Sequence, residues 1–143
     1  MKEYNGEAQG YQPVLIALCC NWCAYPAADL AGNLKVQYPT NVRIIRVMCT
    51  GMVHPNVVMD ALMKGADGVI ICGCHPSDCH YQTAAQVAER RAGAIKLMLE
   101  DIGLEPERFD LEHISASDAR KFGRVMTDKV ARLREMGPSI YKA

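Results

Sequence analysis

Gly68-Val69-Ile70-Ile71-Cys72-Gly73-Cys74-His75-Pro76-Ser77-Asp78-Cys79-His80 changes character halfway along its length. The first half is a short apolar run rich in β-branched residues, the pattern of a strand buried on both faces. Gly73, Pro76 and Ser77 then break the run into a loop. Three cysteines and two histidines (Cys72, Cys74, His75, Cys79 and His80) fall within nine residues there. Thiols this dense at the end of a buried strand indicate half of a metal or redox site. The other half must come from elsewhere in the chain.

Two more apolar runs of strand length end the same way. Val14-Leu15-Ile16-Ala17-Leu18-Cys19 leads into Cys20-Asn21-Trp22-Cys23, and Val42-Arg43-Ile44-Ile45-Arg46-Val47-Met48 leads into Cys49-Thr50-Gly51. Helical patterns lie between the runs. Pro26 suits the first turn of a helix continued by Ala27-Ala28-Asp29-Leu30-Ala31. His54-Pro55 opens a second, with Val57, Val58, Ala61 and Leu62 at helical spacing and Gly65 as its stop. Residues 83–101 carry the longest, with Ala84, Ala88, Ile95, Met98, Leu99 and Ile102 on one face and Gly103 after it. Phe109-Asp110-Leu111-Glu112-His113-Ile114 alternates apolar and polar, which predicts a half-exposed edge strand. Ser115-Ala116-Ser117-Asp118 fits a capping box for a final helix carrying Phe122, Val125, Met126, Val130 and Leu133, and Gly137-Pro138 stops it.

This alternation predicts an α/β fold: a small four-stranded parallel sheet in a flavodoxin-like three-layer arrangement, strand order 2-1-3-4, with right-handed crossovers. Sites in such sheets form at the carboxyl ends of the strands, near the switch point between the first and third. Three strands here deliver cysteines to that edge.

The 143 residues suit one domain. The expected organisation is an arm at 1–12, a single α/β iron–sulfur or metal domain at 13–137, and a tail at 138–143, with arm and tail available for docking. Sixteen basic and sixteen acidic residues balance, which argues against nucleic acid as a partner. The polar start lacks a signal-peptide core, and the apolar runs fall short of the roughly 20 residues that span a membrane. A cytoplasmic protein is expected. Its seven cysteines, odd in number and clustered, read as ligands or redox thiols rather than as a disulfide framework.

Cys20, Cys23, Cys49, Cys74 and Cys79 are the candidate ligands. Four thiolates hold a 2Fe–2S cluster, and the spacings C-x2-C and C-x4-C both occur around such clusters. Four thiolates equally hold zinc, which would make the chain a structural adaptor. Cys20 and Cys23, at a strand-to-helix junction, also suit thiol–disulfide exchange, although that leaves Cys49, Cys74 and Cys79 without a role. Cys72-x2-His75 is half of a Rieske-type pattern whose other half, C-x-H, is missing. His75 and His80 therefore read as ring N–H donors around the sulfurs rather than as ligands. Cys19 and Cys72 read as core, His54 as a helix-start residue, His113 as an ordinary strand residue, and Glu89-Arg90-Arg91 as a solvated helix face. Trp22 and Tyr25 have three readings: shielding the site, meeting a partner, or simple packing.

The motifs carry a resemblance. Cys20-Asn21-Trp22-Cys23 with Ala28-Asp29-Leu30-Ala31-Gly32, Arg46-Val47-Met48-Cys49-Thr50-Gly51, Gly65-Ala66-Asp67-Gly68, and Gly73-Cys74-His75-Pro76 with Asp78-Cys79-His80-Tyr81 resemble the delta subunit of methyl-viologen-reducing hydrogenase. Ile114-Ser115-Ala116-Ser117 and Glu135-Met136-Gly137-Pro138 extend the likeness over nearly the whole chain. The resemblance implies a non-catalytic electron-transfer subunit with a 2Fe–2S cluster on four of Cys20, Cys23, Cys49, Cys74 and Cys79. It implies a hetero-oligomer in which electrons pass from a nickel–iron hydrogenase small subunit, or a formate dehydrogenase, to the flavin-containing subunit of heterodisulfide reductase. The implied setting is methanogenesis with flavin-based electron bifurcation.

Overall fold

Strands β1 (Leu15–Cys20), β2 (Val42–Val47), β3 (Gly68–Gly73) and β4 (Phe109–His113) form one all-parallel sheet in the order β2-β1-β3-β4. They are seen in a computed structural model that describes residues 10–142. Residues 1–9 of the expected arm, and Ala143, lie outside the described residues. The register pairs Leu15 with Val42 on one side and with Gly68 on the other, and Val69 with Phe109. The expected strand order and parallel pairing are both present. β3 is buried at every position, as its unbroken apolar run requires, and β4 is a half-exposed edge.

Helices α1 (Ala24–Asn33) and α4 (Ala119–Met136) cover one face, and α2 (Pro55–Met63) and α3 (Ala84–Asp101) the other. On the first face Leu15, Ala17 and Cys19 of β1 meet Ala24, Ala27, Phe122 and Leu133. On the second, Leu18, Val69 and Ile71 meet Val58, Leu62, Ile95 and Leu99. The alternation along β1 is the period of two that sends neighbouring side chains to opposite layers. Each layer holds one of the chain's two phenylalanines, Phe122 and Phe109, both fully buried. Truncating either to Ala would cost about 3–5 kcal/mol, since a packed core relaxes only partly around a cavity. No helix among the described residues is long and apolar enough to cross a membrane.

Gly65 stops α2 as expected. It sits at φ +110, Gly65 N–H donates to Leu62 O and Ala66 N–H to Ala61 O, the paired bonds that close a helix around a left-handed residue. Helix α1 begins at Ala24, with Pro26 in its first turn as expected, where its missing N–H has no intrahelical partner to lose. One local expectation is corrected. The capping box is not formed as expected: Asp118 N–H donates to Ser115 O (3.0 Å), and Asp118 Oδ2 accepts from Ser115 N–H (3.3 Å). That turn closes first, so the helix starts only after Asp118. The tail packs against the body of the domain. Ser139 N–H donates to Asp67 Oδ1, Lys142 Nζ meets Asp67 Oδ2 at 2.5 Å, and Tyr141 Oη donates to Ile102 O. Tyr11 of the expected arm joins this packing, with Lys142 Nζ 5.3 Å from its ring centroid.

Candidate metal centre

β1 and β3 are sheet neighbours with Cys19 opposite Cys72, so the next thiols along, Cys20 and Cys74, emerge side by side at the carboxyl edge. Residues 21–23 then turn back over that edge. Asn21 N–H donates to Val47 O (2.7 Å) and Cys23 N–H to Cys20 O (3.4 Å), leaving Cys23 as the residue before α1. The result is a triangle of sulfurs. Cys74 Sγ lies 3.1 Å from Cys23 Sγ and 3.8 Å from Cys20 Sγ, and all three fall within 4.8 Å of one another. All three are buried. Among the described residues, this is the group able to hold a metal ion, and it contains no histidine.

The other two candidates flank the triangle. Cys49 ends β2's extension and caps the 3₁₀ turn Thr50–Met52, its sulfur accepting from Gly51 N–H at 3.4 Å. Burial pushes its pKa up, and charge on Cys20 or Cys79 pushes in the same direction. Cys79 is half-buried against the α1/α4 core. Cys19 and Cys72 are fully buried and meet each other, and that hydrogen bond together with burial keeps the Cys72 thiol protonated. Both are core, as expected.

The triangle shares negative charge unevenly. Cys20 is lowered to about 6, chiefly by the Cys23 thiol donating to it, with further donation from the Trp22 and Cys23 amides outweighing burial. Cys23 is raised because it is the donor of that bond, and burial adds to the effect. Burial also raises Cys74, against the opposing pull of Cys23 and of the His80 amide. Three buried sulfurs that share protons among themselves are a donor set in which a cation can take the place of those protons. Thiolates gathered from two loops suit iron–sulfur or zinc ligation alike.

The Cys49 turn lies close against β3. A Cβ on Gly73 would come within 2.7 Å of Thr50 Cγ2, so only glycine lets the Cys49 turn lie against β3. Arg91, expected on a solvated face, is instead half-buried and donates from Nη1 to Gly51 O (2.5 Å) and Val53 O (3.2 Å). It ties the same turn to α3. His113 is more than an ordinary strand residue: Nδ1 lies 2.9 Å from Cys74 O and Nε2 2.9 Å from Glu89 Oε1. The ring props the carbonyl of a triangle cysteine from the edge strand. Nothing in the sequence spacing marks Arg91 or His113, because each acts on a loop from another element. His54 caps α2 as expected, its Nδ1 accepting from Asn56 N–H.

A family model described as FlpD, methyl-viologen-reducing hydrogenase, delta subunit, matches residues 15–137. An F420-non-reducing hydrogenase iron-sulfur subunit from Archaeoglobus profundus is 45% identical over 131 residues, covering 92% of this chain and 96% of the relative. The vhc-type iron-sulfur subunit of the same kind of hydrogenase from Methanococcus voltae is 44% identical over 135 residues, 94% of each chain. A ferredoxin:CoB-CoM heterodisulfide reductase subunit from Methanosarcina mazei is 41% identical over 126 residues, which are 88% of this chain but only 16% of that relative.

Proposed function

The chain belongs to the methyl-viologen-reducing hydrogenase delta-subunit family, and on that premise we propose that it carries a 2Fe–2S cluster in the thiol triangle and passes electrons from a hydrogenase, or a formate dehydrogenase, to the flavin-containing subunit of heterodisulfide reductase. The observation that carries the reading is the convergence of Cys20, Cys23 and Cys74 within 4.8 Å, with Cys49 and Cys79 at its margin. The three triangle thiols and one of the two flanking thiols supply the four ligands. When bound, such a cluster accepts and returns one electron. The chain's own residues hold the sulfurs, exclude water and donate amides to them.

The acceptor is inferred from the Methanosarcina mazei relative, a heterodisulfide reductase polypeptide of which the matching segment is a small part. A trough of about 310 Å³ between Met52, Tyr81 and Val87 has Cys49 in its wall and offers a close approach to that thiol. The cytoplasm, and methanogenesis with flavin-based bifurcation, are the setting that follows from this reading. A second reading keeps one observation in its favour: the lowered Cys20 next to Cys23 would serve thiol exchange.

Anaerobic purification with analysis of iron, acid-labile sulfide and zinc separates these. The cluster reading expects iron and sulfide in equal amounts, lost together in Cys20→Ser, Cys23→Ser and Cys74→Ser. Whichever of Cys49→Ser and Cys79→Ser also loses them names the fourth ligand. Stoichiometric zinc without iron would make the chain a zinc adaptor. Disulfide reductase activity that survives Cys74→Ser would favour thiol exchange.

A further inference from the structure

We propose that Trp22, His80 and Tyr81 form an aromatic clasp that locks the two thiol-bearing loops together and so sets the reduction potential and the lability of the cluster; this rests on the cluster reading above. Trp22 sits between Cys20 and Cys23 on the β1–α1 turn, whereas His80 and Tyr81 follow Cys79 on the β3–α3 loop. Across the gap the Trp22 and His80 rings stack with centroids 4.0 Å apart and planes 16° from parallel. Trp22 Nε1 donates to Tyr81 Oη at 3.1 Å, and Tyr81 stands edge-on to His80 at 4.9 Å. Three side chains therefore join loops that have no backbone pairing of their own beyond the sheet edge.

The loop is bent to make this contact. Gln82 adopts φ +63, which a non-glycine residue seldom does, while Gln82 N–H donates to Cys79 O and Thr83 N–H to Tyr81 O. That turn presents His80 and Tyr81 together to Trp22. A strained residue beside a ligand loop is held only where the surroundings over-determine it. Trp22 and Tyr81 remain nearly half exposed, so burial is not what places them.

The stacked residues also turn backbone amides toward sulfur: Trp22 toward Cys20 and His80 toward Cys74. Holding the rings together holds both amides in place. Amide donors to thiolate sulfur favour the more negatively charged, reduced state of a cluster, so losing them lowers its potential. Opening the clasp also uncovers the sulfurs to water and chelators. Trp22, His80 and Tyr81 are thus positioning residues, acting through the loops rather than touching the reacting atoms.

Trp22 is the only tryptophan in the chain, which makes the clasp directly readable. In the cluster-free protein, His80→Ala should raise acrylamide quenching of Trp22 fluorescence with the melting temperature unchanged. In the cluster-bearing protein, Trp22→Ala should lower the midpoint potential and speed iron release to a chelator by about tenfold, the scale on which outer contacts act at metal sites. Trp22→Phe, which keeps a ring for stacking but loses the indole hydrogen bond, should recover most of both, and Tyr81→Phe, which removes only that hydrogen bond, should lie between Trp22→Phe and the wild type. Unchanged quenching in His80→Ala overturns the stack. Wild-type potential and release rate in Trp22→Ala overturn the tuning role even if the stack exists. Absence of iron from the wild-type protein sinks the cluster reading and the tuning role with it, while the quenching result still decides the stack.

Discussion

The two ends of the sheet solve the problem of buried polarity in opposite ways. At the amino end, Asp67 before β3 and Arg108 before β4 are both essentially inaccessible. Asp67 Oδ2 accepts from Val14 N–H (2.8 Å) and Lys142 Nζ, and its Oδ1 from Ser139 N–H. Arg108 spends its donors on Glu105, Asp67 O and Gly137 O at 2.7–3.0 Å. Every charge there has a partner from the chain itself, and the partners stitch β1, β3, β4 and the tail into one unit. At the carboxyl end, the buried sulfurs have one another and a few amides. A closed network serves the fold; an open donor set serves a ligand. Stability and function should therefore separate when each end is perturbed alone.

The largest expected effect is at the carboxyl end. Cys74→Ser removes the sulfur that touches both Cys20 and Cys23, so iron binding should be lost outright while the cluster-free fold shifts by only about 1 kcal/mol. Iron analysis beside thermal melting checks it. A collapsed fold would erase the contrast.

Asp67→Ala should do the reverse. It leaves Lys142 without its carboxylate and the Val14 and Ser139 amides without their acceptor, a loss of about 3–5 kcal/mol for a buried pair broken on one side. For a chain of this size that is a drop of about 10–17 °C in Tm. The absorption spectrum and potential of the folded fraction should be those of the wild type.

Gly73→Ala tests the join between strand and site. The new methyl meets Thr50, and overpacking of this kind costs about 1–3 kcal/mol. It should also displace the Cys49 turn, so a partial change in cluster stability is expected, smaller than that of Cys74→Ser. Iron retention after dilution into chelator measures it.

The smallest effect is on pH dependence. Burial works to raise Asp67, but Lys142 and the Val14 and Ser139 amides outweigh it and hold the carboxyl below its ordinary value. Arg108 likewise holds Glu105 down. A carboxyl with a depressed folded pKa contributes stability that is complete above its unfolded value, about 4, and is lost as pH falls through the folded one. Denaturant unfolding below about pH 4 should therefore show stability falling with acid. Asp67→Asn should flatten that slope without changing the slope near neutrality.

Much of the carboxyl end was legible in the sequence, and almost none of the amino end. Apolar runs ending in Cys19-Cys20, Cys49 and Cys72 placed three strands, and parallel pairing then forced their thiols onto one edge. Local spacing did not say which sulfurs touch. The 3.1 Å approach of Cys23 to Cys74 depends on how residues 21–23 turn against Val47, a tertiary fact. Arg91 and His113 escaped for a related reason, since their partners, Gly51, Val53 and Cys74, belong to other elements. Asp67, Arg108 and Lys142 stand 34 or more residues apart and look in sequence like ordinary surface charges. Only the fold buries them together.

Electron paramagnetic resonance of the anaerobically purified, dithionite-reduced protein tests the central claim most directly. A half-reduced 2Fe–2S centre should give a low-temperature signal of about one spin per chain, absent in Cys74→Ser. A silent wild-type protein containing stoichiometric zinc would contradict it.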